Sequence, residues 1–460
     1  MLLFAPDDPR PVHFVGIAGA GMSALALMAR RRGVAVTGCD ADLSGAADVA
    51  EAGARLFRGH DPEHVVGARA VVYTAAVASQ HPELAAARAA GLPVVRRADA
   101  LQMVVGAGEV VAVAGTHGKT TTTVMTTEAL AAAGRDPTGI AGGRVATWGG
   151  NARIAGDKLF VVEADEYDRA LLALRPTIAV VNNVEVDHLE CYDGSIAALE
   201  AAFAEFAGRA RHALFGADDA GATRVARAVS VPRWLVGMSA TADLRITEIK
   251  RDRLGSRARL VLPDGRAVEL VLGVPGVHNV RNAAMALGAS LAVGADAERA
   301  LVGLARFNGV GRRFESVGSA RGVTIVDDYA HHPSEVAATI AAARQRFPDA
   351  RLVAVFQPHL FSRTQLLGEA LGVALAAADR VVVTEIYAAR EAPLAGVTGR
   401  LVADAARRAG AAVSWVPDRA AVAGELAASV AAGDVVLTLG AGDITRVGRE
   451  LLERLTGAAA

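Results

Sequence analysis

The sequence predicts an α/β protein of three domains, and three features of the chain support this prediction. Short apolar runs rich in β-branched residues alternate with alanine-rich stretches of helical composition along almost the whole chain, a pattern typical of parallel sheets with crossover helices. The apolar runs are continuous rather than alternating, so both faces of each sheet are expected to be covered. Glycine-rich breaks near 106–109 and over 308–323 divide the chain into domains at 1–107, 108–312 and 313–460.

The composition excludes several classes of protein. The 460 residues are 52% hydrophobic, enough for large buried cores, and the formal net charge of −1 offers no basic field for nucleic acid or an anionic membrane. Charges or glycines interrupt every long apolar run, so we expect no membrane span, and the N-terminus lacks the pattern of a signal peptide. Cys39 and Cys191 are the only cysteines, which favours a cytoplasmic location without a disulfide framework.

The first predicted strand runs into a glycine-rich loop that opens an apolar helix, as in Rossmann-like domains. The stretch "GIAGAGMS" begins at Gly16, and its glycines let a phosphate approach the backbone at the helix N-terminus. Asp40 ends the next predicted strand, where a dinucleotide-binding protein has an acid that holds a ribose. A tight turn without a ligand is the alternative, with Met22 as a core residue. The candidate ligand-binding residues are Gly16, Gly19, Ala20, Gly21, Met22, Ser23 and Asp40.

A second strand-to-helix loop, "VVAVAGTHGKTTTT" from Val110, has the composition of a phosphate-binding P-loop. Backbone N–H groups of such a loop surround phosphates, Lys119 would neutralise β- and γ-phosphate oxygens, and the Thr120 hydroxyl would bind Mg²⁺. Val113 stands where the usual pattern has its first glycine, and a simple glycine turn is the alternative. The candidate ATP-binding residues of this loop are Gly115, Thr116, His117, Gly118, Lys119, Thr120 and Thr121.

Acidic motifs follow two further predicted strands of the central domain. Glu163 is the first acid of "EADEYD". Because the carboxyl ends of parallel strands share one edge of a sheet, we expect Glu163 near the Mg²⁺ of the P-loop. His188 lies in "NNVEVDHLECYD" and is either the ligand of a second metal ion or a hydrogen-bonded core histidine.

One part of the central domain departs from the alternating pattern. Residues 244–274 form short β-rich runs, and the turn-forming triplet Pro263-Asp264-Gly265 separates two of them. We therefore expect the central domain to combine a parallel sheet with a small antiparallel sheet.

Eight short motifs occur along the chain in a characteristic order: "GTHGKTTT", "EADEYD", "NVEVDHLECYD", "HNVRNAAMA", "FNGVGRRFE", "DDYAHHPSEV", "QPHLFSRT" and "TEIYAAREAP". Together they resemble the Mur ligase family, and the similarity extends from "HFVGIAGAGMSALA" to "LGAGDIT", essentially the whole chain. In that family the P-loop begins with the Gly-Thr pair, so Val113 is no departure. The resemblance implies a UDP-sugar-binding first domain, a central P-loop ATPase domain, and a Rossmann-like third domain that binds an amino acid.

The resemblance also implies a reaction, closest to that of the branch of the family that adds L-alanine. ATP would phosphorylate the lactyl carboxylate of UDP-N-acetylmuramate, and the alanine amine would attack the acyl phosphate to give an amide, ADP and phosphate. Two Mg²⁺ ions, which Mn²⁺ can replace, and Lys119 would offset the repulsion between the two anions. The chain would act as a monomer or weak dimer on UDP-N-acetylmuramate, L-alanine and ATP.

Roles for individual residues follow from the same resemblance. Thr120 and Glu163 would bind one Mg²⁺ and His188 the second, which overrides the core interpretation of that histidine. Contacts with the nucleotide or its phosphates are implied for Asn279, Asn282, Arg313 and Asp328. Contacts with the amino acid are implied for Tyr329, His331, His359 and Arg363, of which the arginine suits bidentate binding of a carboxylate. Arg390 and Glu391 follow a neighbouring predicted strand.

One departure and three alternatives accompany this interpretation. Leu360 stands where some family members have a second basic residue. No lysine lies between Lys158 and Lys250, where later-acting members carry a carbamylated lysine, and this absence agrees with the branch that adds L-alanine. The nearest alternative is a ligase that adds a preformed peptide to the same UDP-sugar. An NAD-dependent oxidoreductase built on the first glycine loop and a P-loop switch without ligase activity are the others.

Overall fold

A computed structural model describes residues 3–389 and 391–457, which form three β-sheets flanked by α-helices. Arg390, named above in a predicted strand-end loop, lies outside the described residues. The chain forms two compact units, of which the first contains the described residues up to 248 together with 258–271 and 281–307. The second unit contains 249–257, 272–280 and the described residues from 308 onward.

The first sheet and its helices cover the N-terminal part of the first unit. The elements are β1 Val12–Val15, α1 Ala20–Arg31, β2 Val36–Asp40, α2 Ala47–Glu51, β3 Arg55–Arg58, β4 Ala70–Tyr73, α3 Pro82–Ala89, β5 Val94–Arg96 and α4 Arg97–Val105. The strand order is β3-β2-β1-β4-β5, with every pair parallel. Side chains alternate along β1, so Phe14 packs with α1 on one face while Val15 packs with Leu84 of α3 on the other. The Rossmann-like prediction is confirmed.

The second sheet has ten strands and carries the P-loop. The elements are β6 Glu109–Ala114, α5 Lys119–Ala132, β7 Thr138–Val145, β8 Gly150–Arg153, β9 Leu159–Glu163, β10 Ile178–Val181, α6 Ile196–Gly208, β11 His212–Gly216, α7 Ala220–Ala228, β12 Arg233–Gly237, β13 Leu244–Arg251, β14 Ser256–Val261, β15 Ala267–Leu272, α8 Val277–Ala292 and α9 Ala297–Ala305. The strand order is β15-β14-β13-β12-β11-β10-β6-β9-β7-β8. Strands β6 and β10 are almost entirely buried, as their continuous apolar runs predict.

Strands β13, β14 and β15 are the antiparallel region that residues 244–274 predict. Short turns join them: the Asp252 N–H donates to Gly255 O at 3.1 Å, and the Leu262 N–H donates to Arg266 O at 2.8 Å. Neighbouring strands with such short connections run antiparallel, because parallel neighbours need a long crossover. Strand β13 also pairs in parallel with β12, so these strands form one edge of the large sheet rather than a sheet of their own.

The third sheet lies in the second unit. The elements are β16 Glu315–Ala320, β17 Val323–Asp328, α10 Pro333–Arg346, β18 Arg351–Phe356, α11 Phe361–Leu375, β19 Arg380–Val383, α12 Arg400–Arg408, β20 Val413–Trp415, α13 Arg419–Ser429, β21 Asp434–Leu439 and α14 Thr445–Thr456. The strand order is β16-β17-β21-β18-β19-β20, and only the β16–β17 pair is antiparallel. Among the described helices of the chain, none has the length and apolar character needed to cross a membrane.

Candidate active site

The P-loop joins β6 to α5, and two of its glycines adopt backbone conformations that other residues avoid. Gly115 has φ +130° and Gly118 has φ +75°, where a Cβ atom is strained. A Cβ on Gly118 would lie 2.5 Å from Asn282 Oδ1, and one on Gly115 would lie 3.0 Å from the Asn182 backbone nitrogen. The loop therefore requires glycine at both positions, and it lies directly beside the predicted nucleotide ligand Asn282.

Lys119 is the first residue of α5, and oxygen atoms surround its ammonium group. Its Nζ donates to two carbonyls of the loop at 2.8 and 3.2 Å and lies 2.7 Å from the Glu166 carboxylate. Burial disfavours the ammonium, but the negative charges of Glu166, Asp165 and Glu163 outweigh burial and raise the pKa of Lys119 above its usual value. The lysine is therefore charged before a phosphate arrives, with Glu166 as its counter-ion.

Thr120 and Glu163, the two residues predicted to share a metal ion, lie side by side. The Thr120 hydroxyl donates to the two carboxylate oxygens of Glu163 at 3.0 and 3.1 Å, and the Gly142 N–H donates to the same carboxylate at 2.7 Å. Glu163 ends β9, which pairs with β6 in parallel register, so one edge of the sheet brings both residues together. Three oxygen ligands converge here, and oxygen is the ligand type that Mg²⁺ prefers.

Two asparagines that the sequence analysis did not single out hold the P-loop in place. The Asn183 side-chain oxygen accepts from the His117 N–H at 2.7 Å, and the Asn182 side-chain nitrogen donates to the His117 carbonyl at 3.2 Å. The His117 ring lies 3.6 Å from the Glu185 carboxylate. The sequence feature that could have identified Asn182 and Asn183 is their position as a polar pair directly after the apolar strand β10. Glu166 was also missed, although it belongs to the same acidic motif as Glu163.

His188 lies among carboxylates in the loop that follows β10. Its Nδ1 is 3.3 Å from Glu190 Oε1, its Nε2 is 3.8 Å from Asp187 Oδ2, and its ring packs edge-on against Tyr167. Its hydrogen bond to Glu190 lowers the pKa of that carboxylate. The backbone of His188 is left-handed, with φ +51°. The histidine is therefore hydrogen-bonded and only partly buried, with acidic groups beside it, and its role as a metal ligand stays a prediction.

The first glycine loop, between β1 and α1, is closed by a carboxylate of its own domain. Asp40, at the end of β2, accepts a hydrogen bond from the Ala18 N–H at 3.0 Å. Gly16 has φ +81°. Met22 and Ser23 are buried, so their side chains belong to the core and leave their backbone as the part that can meet a ligand. The turn into α1 is formed by Gly19, Ala20 and Gly21.

Asn279 and Asn282 lie on the same helix but in different compact units. Asn279 belongs to the second unit, where its side-chain nitrogen donates to Pro275 O at 2.7 Å at the beginning of α8. Asn282 belongs to the first unit and lies beside the P-loop. The structure therefore brings Asn282 to the predicted nucleotide site, and the contact predicted for Asn279 stays a prediction.

Asp328 is buried at the end of β17, and its carboxylate holds the neighbouring backbone. It accepts from the N–H groups of Phe314 and Ala330, both at 2.8 Å. Burial raises the pKa of Asp328 to about 6, although the positive charge of Arg313 and the two N–H groups oppose this rise. The guanidinium of Arg313 lies 5.0 Å from the ring centroid of Tyr329. The segment directly before β16 and the loop after β17 thus meet around one buried carboxylate.

The four residues predicted to bind the amino acid form a continuous row in the second unit. The ring centroids of Tyr329 and His331 are 5.3 Å apart, those of His331 and His359 are 6.0 Å apart, and Arg363 Nη1 lies 3.0 Å from His359 Nδ1. Tyr387, which the sequence analysis did not single out, stacks on His359 at 5.9 Å. Arg363 is buried, and a buried guanidinium is suited to bidentate binding of a carboxylate.

The fold and the site together define a multidomain P-loop protein with the residues to handle a nucleoside triphosphate. Three family descriptions match consecutive parts of the chain: "Mur ligase family, catalytic domain" over residues 11–108, "Mur ligase middle domain" over 113–290, and "Mur ligase, glutamate ligase domain" over 312–442. The chain belongs to the Mur ligase family, which confirms the resemblance inferred from its motifs.

Individual relatives are similar over nearly their whole length. A UDP-N-acetylmuramate–L-alanine ligase from Kineococcus radiotolerans is 48% identical over 457 residues, which cover 96% of each chain. The crystal structure of a UDP-N-acetylmuramate–alanine ligase from Thermotoga maritima matches with a TM-score of 0.83 and 29% identity, over 97% of this chain and 99% of that one. A murein peptide ligase from Psychrobacter arcticus matches with a TM-score of 0.75 and 25% identity, over 98% and 100%.

Proposed function

We propose that this chain uses ATP to join L-alanine to the lactyl carboxylate of UDP-N-acetylmuramate, the first peptide-forming step in the synthesis of peptidoglycan precursors. The observation that carries the proposal is the 48% identity, over nearly the full length, to a ligase of that name. The structural match to the Thermotoga maritima alanine ligase is also better than the match to the murein peptide ligase. Both comparisons favour alanine over a preformed peptide as the added group.

Each predicted domain has one substrate in this proposal. Residues 1–107 bind the UDP-sugar through the first glycine loop, residues 108–312 bind ATP through the P-loop, and residues 313–460 bind alanine. The separation of the three sheets supports this division, because each sheet presents its own set of strand-end loops.

The chemical problem is to activate a carboxylate, whose leaving group would otherwise be oxide. Transfer of the γ-phosphate to the lactyl carboxylate gives an acyl phosphate, and attack by the alanine amine then releases phosphate. Two anions must meet in the first step, and Lys119 supplies a positive charge that is already in place. The Glu166 carboxylate pairs with the Lys119 ammonium in the structure. We therefore expect the arriving phosphates to replace Glu166 as the partner of this ammonium.

The proposed metal sites use residues of the first unit. Thr120 and Glu163 would hold one Mg²⁺, which is supported by their oxygen atoms at 3.0 and 3.1 Å. His188 would hold a second, with Asp187 and Glu190 beside it to compensate the charge. When bound, the ions neutralise charge on the transferring phosphate, and Mn²⁺ can replace Mg²⁺ in this role.

The proposed alanine pocket is the row of side chains in the second unit. Arg363 would bind the alanine carboxylate, while Tyr329, His331 and His359 would surround the rest of the small substrate. The support is their mutual contact in the structure and the burial of Arg363, which strengthens its attraction for an anion. Arg313 would reach the phosphate from the same unit.

A coupled assay of ADP release tests the proposal. With UDP-N-acetylmuramate present, we expect ADP release that saturates with alanine and is much weaker with glycine, serine or a tripeptide. Saturation by the tripeptide but not by alanine would identify a peptide-adding ligase instead. ATP hydrolysis that ignores both substrates would identify a P-loop switch, and binding of a nicotinamide cofactor without ADP release would identify an oxidoreductase.

A further inference from the structure

A cluster of potential metal-ligating side chains lies in the N-terminal sheet, and none of its residues has a role in the proposed reaction. It comprises His13 on β1, Cys39 on β2, His60 and His64 in the connection from β3 to β4, His81 before α3, and Glu83 on α3. We call these six residues the histidine cluster. It contains four of the chain's 11 histidines and one of its two cysteines. Packing of apolar side chains does not explain why so many nitrogen, sulfur and carboxylate ligands lie together here.

The histidine cluster lies on the face of the first sheet opposite α1. Phe14 packs towards α1, and side chains alternate along a strand, so His13 faces the other side together with Val15. Cys39 packs with Val15 and with Leu84 of α3 on that same face. The cluster is therefore separated by the thickness of the sheet from the core beneath α1.

The potential ligand atoms converge on the carboxylate of Glu83. Cys39 Sγ lies 2.8 Å from Glu83 Oε2 and 3.3 Å from His60 Nδ1, and His13 Nε2 lies 3.7 Å from Glu83 Oε2. One ligand atom each from His13, Cys39 and Glu83 lies within 4.8 Å of the other two. Two ligands of a tetrahedral zinc ion lie roughly 3.3–3.7 Å apart, because zinc–ligand distances are about 2.0–2.3 Å. The separation of His13 from Glu83 fits a shared ion, and the thiol–carboxylate hydrogen bond opens when the ion binds.

The charge of the cluster is unbalanced without a cation. Glu83 is fully buried, and its carboxylate accepts hydrogen bonds from the Cys39 thiol and the Asp61 N–H and lies 2.8 Å from His64 Nδ1. Within the described chain, its contacts are a thiol, a backbone N–H and imidazoles, with no lysine or arginine. A buried carboxylate needs a positive partner, so either a histidinium or a metal ion must supply it.

An imidazole nitrogen without a hydrogen bond points to the metal ion. His13 is fully buried, and its Nε2 has no hydrogen-bond partner among the described residues. Its other nitrogen, Nδ1, lies 2.9 Å from the Thr37 hydroxyl. In metal-ligating histidines, the second ring nitrogen commonly donates a hydrogen bond in this way. That bond directs the lone pair of the other ring nitrogen towards the ion. His81 Nδ1 is likewise buried without a partner.

We propose that His13, Cys39 and Glu83 form a binding site for one divalent transition metal ion of the zinc class, with His60 beside Cys39 at its entrance. The mixed sulfur, nitrogen and oxygen ligands select such an ion over Mg²⁺, which prefers oxygen alone. His13, Cys39 and Glu83 are buried, while His60 is partly exposed, so the ion enters from the side of His60. On binding, the Cys39 thiol loses its proton to solvent and a metal–sulfur bond forms.

The site is structural rather than catalytic. It ties β1 and β2 to α3 and to the connection after β3, which are distant in sequence and adjacent in the fold. An ion bound in the folded state and not in the unfolded state stabilises the domain. The ion is independent of the Mg²⁺ proposed at Thr120 and Glu163, which lie on another sheet.

Metal titration of the full-length protein, stripped with a chelator and returned to chelator-free buffer, tests this inference. We expect one Zn²⁺ per chain in competition with a chromogenic chelator, with excess Mg²⁺ present, and a higher melting temperature after loading. Cobalt(II) in place of zinc should give a thiolate charge-transfer band. If the folded protein takes up no zinc and shows no cobalt band, the proposal is wrong. The cluster would then be a network of hydrogen bonds between histidines and a carboxylate.

Matched variants locate the ion. The cobalt band should disappear in Cys39→Ser and persist in Cys191→Ser, which removes the chain's other thiol. Because Cys39 is buried and its variant can lose stability, His60→Ala provides a second test at a partly exposed position. We expect His60→Ala to weaken zinc affinity at least about tenfold, on the scale known for altered metal sites, while circular dichroism stays unchanged. Unchanged affinity in His60→Ala, or a cobalt band retained in Cys39→Ser, would contradict the assignment.

Discussion

The two glycine loops of the first unit have the same local design and offer different chemistry. Each follows a buried parallel strand, each opens a helix, and each contains a glycine with positive φ. The P-loop ends in Lys119, whose ammonium is charged and held by Glu166. The first loop contains no lysine or arginine of its own, although the Arg97 guanidinium lies against Gly21, and the carboxylate of Asp40 already accepts the Ala18 N–H.

This difference shows that the residues around a glycine loop decide its ligand. A helix N-terminus attracts anions in both places. In the P-loop, a lysine and a threonine–carboxylate pair add the charge and oxygen ligands that a triphosphate with its metal needs. In the first loop, an internal acid occupies one of the N–H groups and disfavours a highly charged ligand. The UDP-sugar that we propose for the first loop carries a diphosphate, which has less charge than a triphosphate.

The largest effect is expected from Lys119→Ala, which would make the P-loop resemble the first loop. Loss of a charge that stabilises phosphoryl transfer should lower kcat by about 10³-fold or more, measured by ADP release. Lys158→Ala is the matched control, because this lysine is exposed and should leave kcat unchanged. Near-normal turnover of Lys119→Ala would remove the main distinction between the two loops.

Glu163→Gln should have the next largest effect. The amide keeps the size of the side chain but removes the negative charge beside Thr120, so kcat should fall by roughly a hundredfold and the Mg²⁺ concentration for half-activity should rise. Glu205→Gln, on an exposed position of α6, is the control. If the Mg²⁺ dependence of Glu163→Gln equals that of the unaltered protein, Glu163 is not a metal ligand.

A smaller effect is expected at the corresponding acid of the first loop. Asp40→Ala removes the acceptor of the Ala18 N–H and should raise KM for the UDP-sugar by about tenfold, since a hydrogen bond to a charged group contributes roughly 1.5–3 kcal/mol. The KM for ATP should not change. Asp40→Asn should restore most of the affinity because the amide oxygen still accepts. Equal losses in both variants would show that the charge itself contacts the ligand.

The smallest effect on activity is expected from Gly16→Ala. This variant tests, through the free energy of unfolding, whether the backbone conformation of the first loop requires glycine. The added Cβ would lie 2.8 Å from Thr74 Cγ2 in a residue with φ +81°, so the free energy of unfolding should fall by about 2–3 kcal/mol. Gly134→Ala has a similar φ of +74° without neighbours within 4 Å and should lose only about 1 kcal/mol. Equal losses, measured by denaturant unfolding, would mean that the loop relaxes around the methyl group.

The pattern of local elements was predictable because it depends on residues close in sequence. The apolar run before the P-loop corresponds to β6, and α5 begins at Lys119, directly after the last glycine of the loop. The strands of residues 244–274 were also predicted. Their union with the large sheet was not, because it depends on the pairing of β13 with β12, and an apolar run does not specify its neighbour in a sheet.

The sequence by itself determined the chemistry of the chain: a lysine and a threonine after a glycine loop, acids and aromatic residues after apolar strands, and motifs of one family. Only the tertiary structure decided which of these groups touch. Glu166 is 47 residues from the lysine it neutralises, Asn183 is 66 residues from the loop it supports, and Glu83 is 44 residues from Cys39. Such contacts follow from the order of strands in a sheet, which packing and crossover connections select and which local patterns leave open.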